Sequence, residues 1–349
     1  MILALHEVWP KAPLFTAVYN PKTAPWAAEF DIRTSFLQKF PLAKTSHEFY
    51  PWLTPVAFES FNFDEFDIVI SMTSADAKGI VTKPKTLHIC YCLTPTRYLW
   101  SGYSDYFHSP VFRFLSSPLV AYLRLWDRVA AARPDEYIAI SENVRKRIKK
   151  YYGRESEVIY PPVDINKFEI RNSKSETNSK YFLVVSRLVA YKRIDVVVRA
   201  FNKLGFPLKI IGSGRAEKGL RKIAQGNIEF LGNLTDEDLI GYYQGCQALI
   251  FPTDEDFGLA PLEAQACGKP VIALKSGGVL ETVVEGKTGE FFYPQTSEAL
   301  ASVVVRFDAS KYDIKDCRRS AERFSKESFK KKFKKFVEER WEKLKKEKS

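Results

Sequence analysis

Over residues 181–274 short apolar runs alternate with amphipathic helical stretches, and few folds accept that order. YFLVVSR (181–187) precedes RIDVVVRAFNKL (193–204), and PLKIIG (207–212) precedes AEKGLRKIA (216–224). IEFLG (228–232) precedes DEDLIGYYQG (236–245), with Thr235 placed as the N-cap of that helix. CQALIFPT (246–253) then leads through an acidic glycine turn and the helix PLEAQACG to PVIAL (270–274). Near-continuous apolar runs suit strands covered on both faces, and strand–helix alternation of this kind predicts a doubly wound parallel α/β sheet. Such sheets bind ligands outside the carboxyl ends of their strands.

The first half carries a looser version of the same pattern. Residues 1–12 read as a helix fragment, followed by the apolar runs LFTAVYN (14–20), FDIVISM (66–72) and LHICYCL (87–93). A helix through 118–133, a strand at 136–142, a basic helix at 142–153 closed by Gly153 and a strand at 156–160 complete it. Residues 161–180, opened by Pro161 and Pro162, turn polar and Ser/Asn/Lys-rich, which marks a boundary. The expected organisation is a first domain over 1–165, a linker over 166–179, a second domain over 180–325 and a basic amphipathic helix over 326–349.

Composition narrows the function classes. The chain has 349 residues, 27% charged and 45% hydrophobic, enough for two ordinary folded domains. No apolar run approaches the roughly 20 residues that span a bilayer, and the N-terminus lacks a signal-peptide pattern, so a cytoplasmic location is expected. Five cysteines and four histidines show no metal-ligand spacing, and Cys90 and Cys92 alternate on one apparent strand, so buried free thiols are expected. The net charge of +11 is uneven, because the tail from Lys326 carries eleven Lys/Arg against five Glu. No nucleic-acid signature accompanies that charge; an anionic membrane surface or a phosphorylated substrate suits it equally. Phe329, Phe333, Phe336, Val337 and Leu344 recur in the tail at helical spacing, so it reads as a helix packing its stripe on the body, with a membrane-surface helix as the alternative.

The chemistry concentrates in residues 251–289. Two short helices are expected there, each beginning directly after a glycine turn at a strand end. Gly258 lets the backbone approach a ligand, and the helix beginning at Leu259, Ala260 and Pro261 offers unpaired N–H groups to a phosphate. Gly277 and Gly278 repeat the device one βα unit later. Glu255 and Glu263, eight residues apart, flank the first turn and offer carboxylates to hydroxyls. The plainer readings are a solvated acidic turn for Glu255 and a dipole-favoured carboxylate in the first helical turn for Glu263. Arg187 and Lys192 follow the 181–187 strand, where a diphosphate would lie, with Arg193 as a solvated bystander. Gly212 and Gly214 are too few for a dinucleotide fingerprint.

SRLVAYKRID, GNIEFLGNLTDEDL and EDFGLAPLEAQACGKPVIA with GGVLETVVEGKTG resemble the nucleotide-sugar half of glycosyltransferase family 4 over almost all of 178–290. HICYCLTPTRYLW and YIAISENVRKRI resemble, more weakly, the acceptor domains of its bacterial polysaccharide mannosyltransferase branch. The resemblance implies a retaining enzyme of the GT-B fold, with two Rossmann-like domains facing a cleft and no metal or other cofactor. It also implies roles. Arg187 and Lys192 would neutralise the diphosphate, Glu255 would contact the donor sugar and Glu263 the ribose. Backbone groups at Gly258, Leu259 and Ala260, with Gly212 and Gly278, would complete the donor site. Arg97 and Tyr98 would lie on the acceptor side.

Two departures stand out. Relatives begin with a strand and a glycine-rich loop before the helix that ILALHEVWP resembles, whereas this chain begins inside that helix. Many relatives also carry His before the Thr-Pro of the CYC-x-TP segment, where this chain has Leu93. The expected activity is transfer of a hexose, mannose being one candidate, from a nucleotide-diphosphate sugar to a glycan or lipid-linked acceptor in cell-surface polysaccharide synthesis. A nucleotide-sugar-binding remnant and a same-fold epimerase are the alternatives.

Overall fold

Parallel sheets organise both halves of the chain. The computed structural model describes residues 1–103, 109–168 and 181–348. They form two units, Met1–Tyr160 with Lys330–Ser349, and Pro161–Phe329.

In the first unit, after the helix Ile2–Val8, β1 (Leu14–Thr16) and β2 (Ile32–Thr34) make a small parallel pair. β3 (Ile68–Thr73), β4 (Leu87–Cys92), β5 (Glu136–Ala139) and β6 (Glu157–Val158) form a parallel sheet in the order 3-4-5-6. All six residues of β4 are buried, which is why LHICYC lacks polar alternation. His88 is a strand residue, as expected; its Nε2 lies 2.8 Å from Ser71 Oγ, and burial lowers its pKa to about 3. All five cysteines are buried free thiols.

The helix expected over 118–133 runs instead from Pro110 to Ala130, with Pro118 inside it. Proline removes the N–H that would bond the carbonyl of Phe114, and Ser117 Oγ donates to that carbonyl at 2.7 Å. A neighbouring hydroxyl therefore carries the helix through a residue that ordinarily starts one. The C-terminal helix Lys326–Lys348 buries Phe333, Phe336 and Val337. Phe333 packs edge-on against Tyr91, and Arg340 Nε lies 3.2 Å from Glu136. The stripe packs back on the body, and the tail belongs from Lys330 onward to the first unit.

The second unit is a six-stranded, wholly parallel sheet in the order β12-β11-β10-β7-β8-β9. Its strands are β7 (Phe182–Val185), β8 (Leu208–Ile211), β9 (Ile228–Gly232), β10 (Leu249–Phe251), β11 (Val271–Leu274) and β12 (Gly289–Phe292). Helix Ile194–Leu204 packs Val197, Val198 and Phe201 into one core with Ile210, Ile250 and Ile272 of the sheet. Thr235 caps helix Asp236–Gly245, accepting from the Asp238 N–H at 3.2 Å. The chain builds β7, β8 and β9 outward, then returns to the other side of β7 for β10. The order reverses between β7 and β10, which makes their carboxyl ends the topological switch point.

The unit boundary falls earlier than the expected linker. The Val163 N–H donates to the carbonyl of Phe324 at 2.8 Å, and the ring of Phe168 meets Tyr243 at 6.1 Å, so the chain joins the second unit directly after Tyr160. The rest of the expected linker, from 169, lies outside the described residues.

Candidate active site

The two loops at the switch point come from β7 and β10. After β7 the chain makes a 3-10 turn over Ala190–Lys192, then holds Arg193 at a φ of 54° before helix Ile194–Leu204 begins. After β10 it passes through Asp254-Glu255-Asp256 to Gly258, the N-cap of helix Leu259–Ala266. Gly258 has a φ of 87°, a region most side chains avoid, and it supplies no capping side chain. The first-turn N–H groups at Leu259 and Ala260 therefore keep their anion-binding capacity.

Across these loops Lys192 and Glu255 form an ion pair, with 13% and 20% of their side chains exposed. Side chains that the sequence did not single out hold the loops in register. Thr253 Oγ1 donates to the carbonyl of Lys192 at 2.9 Å. Arg193 Nη1 donates to Gln295 Oε1 at 3.1 Å, and Gln295 Nε2 donates to the carbonyl of Pro252 at 2.7 Å. Arg193 is thus a connector and not a solvated bystander. Arg187 is exposed and donates to Tyr191 Oη at 2.7 Å, while Lys192 Nζ lies 5.3 Å from the centre of the Tyr191 ring. Tyr191 therefore spaces the two cations.

The two glycine turns are one assembly. Gly278 N–H donates to the carbonyl of Glu255 at 2.8 Å, and a Cβ at Gly278 would stand 2.3 Å from the carbonyl oxygen of Asp256. Any larger residue at 278 would push the Glu255 turn away from β10. Gly212, at the end of β8, makes the equivalent close approach to Ser186 beyond β7, where a Cβ would lie 2.0 Å from the Ser186 carbonyl oxygen.

Two expectations need correction. The second glycine turn opens only a five-residue 3-10 turn, Gly277–Glu281, because Val284 N–H goes to Thr288 Oγ1 at 2.9 Å and not back to Leu280. Glu263 lies in the second turn of its helix, whose first turn holds no acidic residue, so the dipole account does not apply. A buried hydroxyl holds it instead: Tyr243 Oη donates to Glu263 Oε2 at 2.7 Å, and desolvation raises the carboxyl pKa.

Arg97 and Tyr98 belong to the first unit. The carbonyl of Arg97 accepts from Gly102 N–H at 2.8 Å, and Tyr98 packs on Leu99, Val120 and Leu123. Among the described residues no cluster of three or more His, Cys, Asp or Glu could hold a metal ion. No helix among them is long and apolar enough to cross a membrane.

Known proteins share both the sequence of this unit and the fold. Residues 166–331 match the family described as glycosyl transferases group 1. An uncharacterised glycosyltransferase of Methanocaldococcus jannaschii is 30% identical over 171 residues, 48% of this chain and 47% of its own length. A GDP-mannose-dependent monoacylated phosphatidylinositol monomannoside mannosyltransferase of Corynebacterium glutamicum is 33% identical over 172 residues, 41% of this chain and 45% of its own. The chain thus spans about half the length of the curated relatives it matches. The crystal structure of Anabaena HepE in complex with UDP superposes with a TM-score of 0.73 over 97% of this chain and 95% of that one, at 16% identity. That likeness shows the expected GT-B fold. The switch-point site lies inside residues 166–331, the segment that matches the glycosyl transferases group 1 family.

Proposed function

We propose that the chain is a retaining glycosyltransferase that moves a hexose, mannose being the first candidate, from a nucleotide-diphosphate sugar to a glycan or lipid-linked acceptor. The observation that carries this reading is the Lys192–Glu255 pair at the switch point, beside the uncapped start of helix Leu259–Ala266. A diphosphate placed there meets two cations, Arg187 and Lys192, and the N–H groups of Leu259 and Ala260. The similar mannosyltransferase favours a guanine nucleotide, and HepE with UDP favours uracil, so both bases enter the test.

In the reaction the bond between the anomeric carbon and the phosphate oxygen breaks, and the acceptor oxygen bonds that carbon from the same face. The acceptor proton leaves toward the departing phosphate. Negative charge accumulates on the nucleotide diphosphate, where Arg187, Lys192 and the helix N–H groups stabilise it, without a metal. Lys192 turns from Glu255 to the phosphate, which frees Glu255 for a sugar hydroxyl. Glu263, oriented by Tyr243, receives the ribose.

A thermal-shift screen against GDP- and UDP-sugars, followed by an assay of nucleotide diphosphate released with an acceptor panel, tests the reading. The expected result is a raised melting temperature with one donor and acceptor-dependent release. Binding without release across the panel would make the chain a binding remnant, and conversion of the donor alone would make it an epimerase.

A further inference from the structure

The long helix Pro110–Ala130 of the first unit carries an apolar stripe on its outer side. Val111, Phe114, Leu115, Tyr122, Leu125 and Val129 recur at helical spacing, and each is exposed, Phe114 at 78% and Leu115 at 70%. The opposite face is buried, with Val120, Leu123, Asp127 and Ala130 turned into the unit. The helix is therefore apolar on two sides, and among the described residues only one of them has a partner. A continuous exposed row of large apolar side chains on a folded unit marks an interaction surface.

The charges beside the stripe select its partner. Arg113 and Arg128 lie exposed along one border, with half-buried Arg124 between them donating to the carbonyl of Leu99 at 2.8 Å, and the helix's single acidic residue, Asp127, is wholly buried. Trp100 links this helix to the next one, Glu142–Tyr152, by donating to Asp127 Oδ2 at 2.7 Å and stacking on Tyr151 at 5.4 Å. That neighbour adds exposed Arg145, Lys146, Lys149 and Lys150. A second copy of the chain docked stripe to stripe would set arginine against arginine with no carboxylate on the helix to answer it. An anionic lipid surface meets both features: acyl chains receive the Phe and Leu side chains, and headgroups receive the arginines.

We infer that helix Pro110–Ala130 lies in the interfacial plane of an anionic bilayer and is the membrane-docking face of this protein. The basic C-terminal helix is a poorer candidate, because Phe333, Phe336 and Val337 of its stripe are buried. The inference is independent of the transferase reading, since docking is measured without turnover.

The test is co-sedimentation of the full chain with vesicles of phosphatidylcholine alone and of equal phosphatidylcholine and phosphatidylglycerol. The expected result is binding to the mixed vesicles, with a partition coefficient that falls about tenfold or more in Leu115→Ser/Leu125→Ser. The thermal melt of that variant should match the wild type, since both residues are exposed. The control Lys335→Gln/Lys343→Gln removes two exposed charges from the C-terminal helix and should bind within about twofold of the wild type. The inference is overturned if the wild type stays in the supernatant, if the serine variant binds like the wild type, or if the control loses as much binding as the serine variant. It is also overturned if the wild type elutes as a dimer that the serine variant dissolves while neither binds vesicles, which would assign the stripe to a second copy.

Discussion

Two lysine–carboxylate pairs, one in each unit, share their chemistry and differ in their surroundings. Lys78 and Asp127 lie 2.5 Å apart with 1% and 0% of their side chains exposed. Lys78 also donates to the carbonyl of Ala75 at 2.6 Å, while Asp127 accepts from Thr96 Oγ1 at 2.6 Å and from Trp100 Nε1 at 2.7 Å. Removing two charges from water is costly, and only a network that satisfies the remaining protons and lone pairs offsets the cost. Lys192 and Glu255 keep solvent access and stand at the open ends of strands. The enclosed pair holds a unit together, and the open pair is free to exchange its partner for a ligand.

The largest expected effect breaks the enclosed pair. Asp127→Ala should lower unfolding stability by about 3–5 kcal/mol, because Lys78 is left charged and buried. A shift in urea midpoint equivalent to less than about 1 kcal/mol would erase the distinction between the pairs. Next is Lys192→Ala, expected to cut the rate of sugar transfer about a hundredfold or more, roughly 2.7 kcal/mol of barrier, while stability moves by about 1 kcal/mol or less. Combined with Glu255→Gln its effect should be less than additive, since each change releases the other's partner. Transfer at the wild-type rate in Lys192→Ala would remove the diphosphate assignment.

Asp76 sharpens the contrast through pH. Burial raises its pKa to about 6, with Lys78 opposing and Asp127 adding to the shift. A carboxyl whose folded pKa is raised binds its proton more tightly in the native state. Its contribution therefore favours folding at low pH and is lost as pH rises from about 4 to about 6. Asp76→Asn should abolish that slope, on the order of 3 kcal/mol, in denaturation curves taken across the interval. An unchanged slope would locate the titration elsewhere. The smallest effect belongs to Tyr243→Phe, which removes the donor to Glu263. It should cost about 1 kcal/mol of stability and weaken nucleoside-diphosphate affinity severalfold by calorimetry. Unaltered affinity would separate Glu263 from the ribose.

Much of the second unit was legible because its signals are local. Each strand and helix is written in a contiguous stretch of apolar period, and Thr235, Gly258 and Pro261 punctuate those stretches by rules of backbone geometry. The first unit was less legible for an equally local reason. Proline rules start a helix at Pro118, whereas the helix runs from Pro110 through it, with the Ser117 hydroxyl on the Phe114 carbonyl in place of the missing N–H. At the site, Arg187, Lys192 and Glu255 were visible as residue types at strand ends. Tyr243, Gln295 and Thr253 were not, since each acts on a partner in another loop or helix and has no signature in its own.

What the sequence determined by itself is the order of elements and the kind of chemistry gathered at their ends, because period, turn residues and charge are properties of neighbours along the chain. Only the tertiary structure decided which ends meet. The return of the chain across β7 brings Lys192 to Glu255, and the close approach at Gly278 joins two turns into one loop system. Those contacts depend on strand order and backbone separation in space, which residues distant in sequence acquire only when the sheet has formed.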